Sequence, residues 1–410
     1  MKTAKHKVES IPETLLSQIE IRSYARIDQI PADQWNALVP NHYPFILHDY
    51  LAALETHDCV GENFGWMPCH LALYHQEQLI AAMPLYEKYN YYGEFVFDQA
   101  WENAWKQVGL DYYPKLVSAM PYTPARGPRF LVTEQHEAIA VDPQKMLLLH
   151  AMKSLCQQNQ LSGAHILFAD TKQQHWLESL PAEHKLLFRH DTQFHWFNQD
   201  YHSFDDFLAQ LSAKKRKNIK QERRAVQQAG ITFRLLDGHT ANETDWANFS
   251  YFYDKTFIEK WSTPTLNKAF FIDIAQKMPD NILLVLADLD DQCIAGALMF
   301  KSDDVLYGRH WGAIKNIKHL HFETCFYQGI EYAIQHGLKV FEPGAGGEHK
   351  ISRGFIPVPI HSTHWLKINP FEESIDNFIE QEKAAINGYM DECAEMSPYK
   401  ALPKIPKEYL

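Results

Sequence analysis

Hydrophobic and polar positions along the chain follow a repeating order of short strands and helices. Residues 19–26 alternate as a strand, residues 45–56 carry apolar side chains at helical spacing, and two β-like runs, 69–74 and 79–86, flank a polar turn. The second half returns to this order at residues 231–236, 245–260, 267–278, 282–289 and 293–300. The pattern predicts an α/β chain with two related halves.

A constant spacing between matching segments of the two halves supports this interpretation. Leu79 to Met83 precede Ile294 to Leu298 by a fixed offset, and Gly93 precedes Gly308 by the same offset. The alternative is a chance similarity between two α/β halves. The other predicted strands are 93–98, 114–120, 164–169, 186–198, 305–311 and 339–341, and the other predicted helices are 101–108, 142–160, 203–230 and 322–334.

A chain of 410 residues is longer than a single hydrophobic core usually supports. We therefore predict two domains, at residues 19–200 and 201–370. They are flanked by an N-terminal tail at 1–18 and by a C-terminal helix and tail at 371–410. Helix 203–230 leads into the second domain.

Helix 203–230 becomes strongly basic after its first apolar turns. Residues 214–224 hold seven cations and one acid, and the first four cations are Lys214, Lys215, Arg216 and Lys217. Such a cluster can hold the phosphates of a donor molecule. The alternative is a solvated helix face.

The overall composition limits the possible partners and the compartment. A formal net charge of −12 argues against a general DNA-binding or anionic-membrane-binding protein. Six cysteines without C-x-x-C spacing, no signal-peptide pattern and no apolar run of membrane length predict a cytoplasmic protein. The near pairs His319/His321 and His361/His364 have no third ligand at metal spacing, so we predict neither a metal site nor a tightly bound cofactor.

A glycine-rich loop follows the strand at 339–341. Pro343 ends the strand, and Gly344, Gly346 and Gly347 allow a ligand to approach the backbone closely. The candidate clamps for a phosphate or carboxylate are His349, Lys350 and Arg353. A P-loop is excluded because His349 precedes Lys350 and Ile351 follows it. The alternative is a glycine-rich turn with solvated charges.

Several motifs resemble the FemAB-like group of predicted N-acyltransferases in the GNAT superfamily, over roughly residues 25–385. They are Gly93-Glu-Phe-Val-Phe-Asp98, Tyr112-Tyr-Pro-Lys115, Trp311-Gly312, Glu342-Pro-Gly-Ala-Gly-Gly-Glu-His-Lys350 and Arg353-Gly-Phe. The resemblance implies two tandem GNAT-like domains, each with a largely antiparallel twisted sheet flanked by helices.

The resemblance also implies transfer of an acyl or aminoacyl group to an amine, such as that of a peptide or peptidoglycan precursor. The donor remains open between acyl-CoA, as a co-substrate, and aminoacyl-tRNA. Residues 312–320 hold one glycine where acetyltransferases of the superfamily have a pyrophosphate loop. Residues 231–370 hold no segment long enough for the helical arm of the Fem ligases. The rival interpretation is a non-catalytic protein that binds a peptide or peptidoglycan precursor.

Acyl transfer to nitrogen needs a base and groups that stabilise an oxyanion. We expect Glu342 to be the base, with His310 and Tyr307 on the opposite wall and Arg309 and Trp311 contacting the donor. The alternatives are a Glu342 that anchors the loop and a structural His310.

Overall fold

The computed structural model describes residues 13–136 and 138–409, so most of the predicted N-terminal tail lies outside the described residues. Strands and helices alternate as predicted, and the α/β fold class is confirmed. The strands are β1 Ile19–Tyr24, β2 Trp66–Pro68, β3 His70–His75, β4 Gln78–Met83, β5 Tyr86–Lys88, β6 Lys115–Ser118, β7 Leu131–Val132, β8 Gly163–Leu167, β9 Leu187–Phe197, β10 Thr232–Leu236, β11 Ile282–Leu289, β12 Gln292–Lys301, β13 Val305–Ala313, β14 Val340–Glu342 and β15 Ile356–Leu366.

Side-chain caps begin several of the helices. Ser203 accepts a hydrogen bond from the Asp206 N–H, and Asn242 and Asp245 form a reciprocal capping box. The helices are α1 Glu13–Leu16, α2 Ala32–Asn36, α3 His48–Thr56, α4 Gln99–Gln107, α5 Val141–Gln158, α6 Thr171–Glu178, α7 Phe204–Gln210, α8 Ala213–Gln228, α9 Glu243–Glu259, α10 Lys268–Lys277, α11 Leu320–Phe322, α12 Gln328–Gln335 and α13 Glu372–Glu395. A π-helical turn, Glu323–Tyr327, joins α11 to α12. Among all the helices of residues 13–136 and 138–409, none has the length and apolar character needed to span a bilayer.

The described strands form two sheets. The smaller sheet has the order β1-β3-β4-β7. The larger one has the order β10-β11-β12-β13-β14-β9-β15-β8-β6-β5-β2. Most neighbours are antiparallel, but β13 pairs in parallel with β14 and β6 pairs in parallel with β8. Each half therefore contains one parallel pair within a mostly antiparallel sheet.

The two halves exchange long strands at the centre of the large sheet. Strand β9, from the first half, pairs with β14 of the second, while β15 pairs with β8 of the first. Strands β9 and β15 also pair with each other, from His195 opposite Ile356 to Leu187 opposite His364. This continuous sheet crosses the boundary predicted at residue 200, and the boundary itself remains a prediction.

Aromatic side chains join the halves through a shared core. Phe45 of the first half lies 5.1 Å from Phe300 of the second, and Tyr50 lies 5.6 Å from Phe270, measured between ring centroids. Burying an aromatic side chain of this size contributes about 1.5–3 kcal/mol. The interface therefore holds the second half in a fixed position against loops of the first.

Three of the predicted elements were wrong. Residues 93–98 form a loop because Glu94 and Asp98 both turn inward to Lys115, at 2.9 and 2.5 Å. The predicted strand 79–86 breaks after Met83 and resumes as β5 in the other sheet. The predicted helix 203–230 divides into α7 and α8, since Leu211 is extended and bridges to Tyr399.

Candidate functional site

The site begins where two parallel strands separate. Strands β13 and β14 pair from Val305 opposite Val340 to Tyr307 opposite Glu342. Pro343 has no N–H to continue the ladder, and the backbone then turns with positive φ at Gly344, Gly346 and Gly347. Strand β13 continues to Ala313, so a cleft opens beyond the last pair.

The cleft has a volume of about 280 Å³. Residues 308–311 form one wall, residues 345–350 contribute the other, and His321, Cys325 and Phe326 close it from the helical side. Its size is near the lower end of the range for small-molecule sites. The cleft can accept a narrow chain with its reactive end toward the point where the strands part.

A bulge in β13 sets the direction of the residues along the first wall. Leu298 lies opposite His310 and Met299 opposite Gly308, so Arg309 is an extra residue between them. Arg309 donates a hydrogen bond to the Tyr122 carbonyl of the first half. The bulge thereby ties the cleft wall to the loop that follows β6.

His310 and Trp311 follow the bulge on this wall. The His310 ring lies 5.1 Å from the Tyr253 ring, edge to face. Burial and the Arg309 cation lower the pKa of His310 well below its usual value, so the imidazole is neutral near pH 7. Trp311 lies 5.3 Å from His321 on the helical side.

Glu342 lies on the other side of the separating strands. Its residue is 3% exposed, and the Arg126 N–H donates to Glu342 Oε2 at 3.4 Å. Nδ1 of His195 lies 3.9 Å from Glu342 Oε1. Burial raises the pKa of Glu342 to about 7, and the Arg126 cation partly opposes this rise. A carboxyl with this pKa can accept a proton near neutral pH.

Tyr307 stands beside Glu342 in the shared core. Its ring makes edge-to-face contacts with Tyr43 at 5.6 Å and Phe45 at 5.2 Å. Burial and the neighbouring carboxylate raise the pKa of Tyr307 well above its usual value. Tyr307 and Glu342 border a narrow void that shares Gly308 and Arg309 with the cleft.

The Lys350 side chain forms hydrogen bonds with the backbone of the glycine loop. Its Nζ donates to the carbonyls of Gly344 at 2.7 Å and Ala345 at 3.1 Å. Burial lowers the pKa of Lys350 to about 8. His349, which also lines the cleft, is exposed and lies 6.1 Å from the His321 ring. Gly347 has φ of 93°, a conformation that favours glycine, and an added Cβ there would displace the His349 ring, which would lie 2.5 Å from it.

Arg353 does not line the cleft, and its side chain contacts residues of the protein instead. It lies in the 3-10 helix Glu348–Arg353, and its Nη2 donates to Glu222 Oε1 at 2.8 Å. The guanidinium also covers the Phe322 ring at 3.4 Å and donates to the His349 carbonyl. These contacts join α8 to the end of the glycine loop.

The four basic residues at the start of α8 divide between two faces. Lys214 and Lys217 are exposed, while Lys215 and Arg216 are partly buried. Both lie one turn before the buried Ile219, and Lys215 lies two turns before Glu222, on the face that carries the ion pair to Arg353. Within residues 13–136 and 138–409, no carboxylate lies within ion-pair distance of these four cations. They remain available to an anion.

Sequence reasoning did not identify the residues around Glu342 that come from elsewhere in the chain. Arg126 and Gln193 come from the first half, and Tyr409 comes from the C-terminal tail. The segment from Pro121 to Pro128 is rich in turn residues after a strand, and this was the available signal for Arg126. Among the residues described, no three His, Cys, Asp or Glu side chains are grouped to hold a metal ion.

Comparison with solved structures identifies the fold. FemX aligns over 81% of this chain and 96% of its own, with 11% identity and a TM-score of 0.51. A domain of a putative lysylphosphatidylglycerol synthetase from Agrobacterium fabrum aligns over 87% of this chain and 96% of its own, with 7% identity and a TM-score of 0.50. A tandem GNAT protein from the clavulanic acid biosynthesis pathway aligns over 84% and 98%, with 10% identity and a TM-score of 0.43.

A search of curated proteins found no match to the sequence. The model of the FemAB-like family, described as peptidoglycan biosynthesis/recognition, matches residues 26–401. This match confirms the family predicted from the motifs. It agrees with the predicted class, an acyl or aminoacyl transferase acting on peptidoglycan-related substrates. The chain therefore belongs to the FemAB-like family.

Proposed function

We propose that this protein is a cytoplasmic N-acyltransferase that moves an acyl or aminoacyl group to the amine of a peptide or peptidoglycan precursor. The observation that carries the proposal is the placement of Glu342 beside the point where β13 and β14 separate. The cleft lies on one side of this point and the carboxyl on the other. Donor and acceptor can therefore approach one carbonyl carbon from opposite sides.

Glu342 takes the proton in this reaction. The amine nitrogen forms a C–N bond to the donor carbonyl, and the C–S bond of a thioester or the C–O bond of an ester breaks. The proton lost by nitrogen passes to Glu342, whose pKa of about 7 allows it to return that proton to the leaving thiolate or alkoxide. Lys350 and the glycine loop lie where positive charge and N–H groups can stabilise the oxyanion.

The donor is activated and carries phosphate. The cleft volume of about 280 Å³ suits an acyl group with a narrow arm, and larger donor parts remain outside. Lys215 lies on the face of α8 that contacts the end of the glycine loop through Glu222 and Arg353, and the partly buried Arg216 follows it. This placement fits the phosphates of acyl-CoA, as a co-substrate, and equally the backbone of an aminoacyl-tRNA.

Ligand-induced stabilisation tests the proposal and distinguishes the donors. The melting temperature of the purified protein is measured with a panel of acyl-CoAs and, separately, with charged tRNA. A donor that binds the native state raises the melting temperature by an amount that grows with the logarithm of its concentration relative to Kd. Mass spectrometry of a peptide amine incubated with the stabilising donor then detects the amide. Binding of a peptide without any amide product would instead support the non-catalytic interpretation.

A further inference from the structure

The segment after α13 runs back across the molecule to Glu342. It first pairs with the junction of α7 and α8, where the Ser212 N–H donates to the Pro398 carbonyl at 2.8 Å and the Lys400 N–H donates to the Gln210 carbonyl at 2.9 Å. The Tyr399 hydroxyl donates to the Gly354 carbonyl at 2.7 Å. Residues 404–409 then lie over the first half.

Residues 404–409 are held there by backbone hydrogen bonds and by the side chains of Ile405 and Tyr409, which pack against the core. The Gln199 side chain donates to the Lys404 carbonyl at 3.1 Å and accepts from the Lys404 N–H at 2.9 Å. Arg126 and Thr171 both donate to the Glu408 carbonyl, at 3.1 and 2.6 Å. The charged side chains of Lys404 and Glu408 are exposed. We call the surface formed by Arg126, Thr171, His195, Phe197 and Gln199 the tail groove.

Tyr409 fills the end of the tail groove. Its ring lies 5.3 Å from the Phe197 ring and 5.8 Å from the His195 ring, and the Arg126 guanidinium covers it at 4.6 Å. The Tyr409 hydroxyl lies close enough to Glu342 for each group to shift the pKa of the other. Tyr409 therefore stands between the proposed base and the acceptor side of the site.

The tail groove retains unused hydrogen-bonding capacity. Arg126 and His195 are buried, with 6% and 0% exposure, yet Arg126 Nη1 and His195 Nδ1 have no hydrogen-bond partner. Buried polar atoms usually have partners, so these atoms indicate a place for another polar group. Arg126 Nη1 needs an acceptor, whereas His195 Nδ1 needs a donor, because the neutral His195 ring already donates from Nε2 to Gln193. A ligand that offers both a donor and an acceptor there would satisfy them.

We propose that the tail groove is a binding site for a short peptide, and that residues 404–409, which end in the 3-10 turn Lys407–Tyr409, occupy it as a displaceable ligand from the same chain. The recognition uses peptide carbonyl and N–H groups and one aromatic ring, so other short peptides with an aromatic end can make the same contacts. The inference rests on the proposed function in one respect. An acceptor amine reaches Glu342 only when residues 404–409 leave the groove.

An intramolecular ligand competes at the high effective concentration that its short connection provides. Removing the tail should therefore raise the apparent affinity for an added peptide. The experiment compares the full chain with a chain that ends at Pro403. The probe is a fluorescein-labelled peptide, Lys-Ile-Pro-Lys-Glu-Tyr, which matches residues 404–409, and fluorescence anisotropy measures its binding.

We expect the shortened chain to bind the probe at least about ten-fold more tightly than the full chain. A probe with its Tyr replaced by Ala should lose most of this affinity. Equal affinity of the two chains, or no binding to a shortened chain that melts cooperatively, would overturn the proposal.

A second variant covers the case in which the shortened chain does not fold. Tyr409→Ala in the full chain keeps the backbone contacts but removes the ring, so the probe should bind this variant more tightly than the parent. Tyr332→Ala is the matched control, because Tyr332 stacks on His336 in α12. The same affinity in Tyr409→Ala and Tyr332→Ala would contradict the proposal. The binding assay contains no donor, so its result does not depend on transferase activity. If the probe binds as expected but the protein forms no amide, the tail-groove inference stands and the proposed catalytic role of Glu342 is rejected.

Discussion

Glu342 lies opposite Tyr307 in the last residue pair that joins β14 to β13, and the strands separate immediately beyond it. The pairing holds the carboxyl within the shared core while the following loop opens a cleft. One side chain thereby has the burial that raises its pKa and a position immediately before Pro343, which lines the cleft.

Reversing the charges on one face of α8 at a time tests whether the basic residues bind the donor or only face solvent. Lys215→Glu with Arg216→Glu should weaken donor binding at least about ten-fold, because both residues are partly buried and Lys215 lies on the face that reaches the glycine loop through Glu222 and Arg353. Lys214→Glu with Lys217→Glu is the matched control on the exposed face, with a smaller expected effect. Calorimetric titration at low and high salt measures both. Equal losses in the two variants would assign the effect to net charge alone.

The glycine loop offers another matched pair. Gly344 has φ of 94°, and an added Cβ would come within 3.1 Å of the Gly308 carbonyl, whereas Gly346 has φ of 66° and nothing within 4 Å. Gly344→Ala should therefore cost roughly 2 kcal/mol and weaken donor binding, and Gly346→Ala only about 1 kcal/mol. Urea unfolding and donor titration measure the two effects. Tighter or unchanged donor binding by Gly344→Ala would disagree with a ligand role for the loop.

Arg353 is expected to act through stability. Arg353→Ala leaves Glu222 partly buried without its cation, at a cost of roughly 3 kcal/mol. Adding Glu222→Ala should recover part of this loss, because the unpaired charge is then removed. A double-mutant cycle in urea gives the coupling free energy. Additive losses would show that the pair contributes nothing of its own.

The pH dependence of stability should reveal the raised pKa of Glu342. The folded carboxyl has a pKa of about 7, against 4.5 for the ordinary group, so the parent loses stability as pH rises through this window. Glu342→Gln releases no proton there. The stability of the variant relative to the parent should therefore increase by on the order of 3 kcal/mol between about pH 5 and pH 8. Urea unfolding at these pH values measures the free energy of unfolding of both proteins. If the difference between variant and parent does not change with pH, the pKa of Glu342 is not raised.

Sequence patterns predicted the elements with strong local signals. Strand β11 has the predicted bounds, because a run that is apolar except for Asp288 stops at the polar pair Asp290 and Asp291. The helical face around Phe326 and Ile330 was equally clear and is buried as expected. The position of Glu342 at a strand end followed from Pro343 and the glycines.

Other features depend on contacts between distant residues. Residues 93–98 carry strand-like aromatic residues, yet the buried charge of Lys115 draws Glu94 and Asp98 inward. The strand exchange of β9 and β15 is set by pairing across the two halves. The contact of Tyr409 with Glu342 joins a tail to a strand, and no local pattern predicts it.

The activity of Glu342→Gln, measured with its melting temperature on one preparation, tests the central claim most directly. The change keeps the shape of the side chain and removes proton acceptance. The rate of amide formation should fall by roughly 10²–10⁴-fold with donor affinity nearly unchanged, and the parent rate should rise with pH around a midpoint of about 7. A folded Glu342→Gln protein with the full rate would contradict the account and leave His310 as the next candidate for the base.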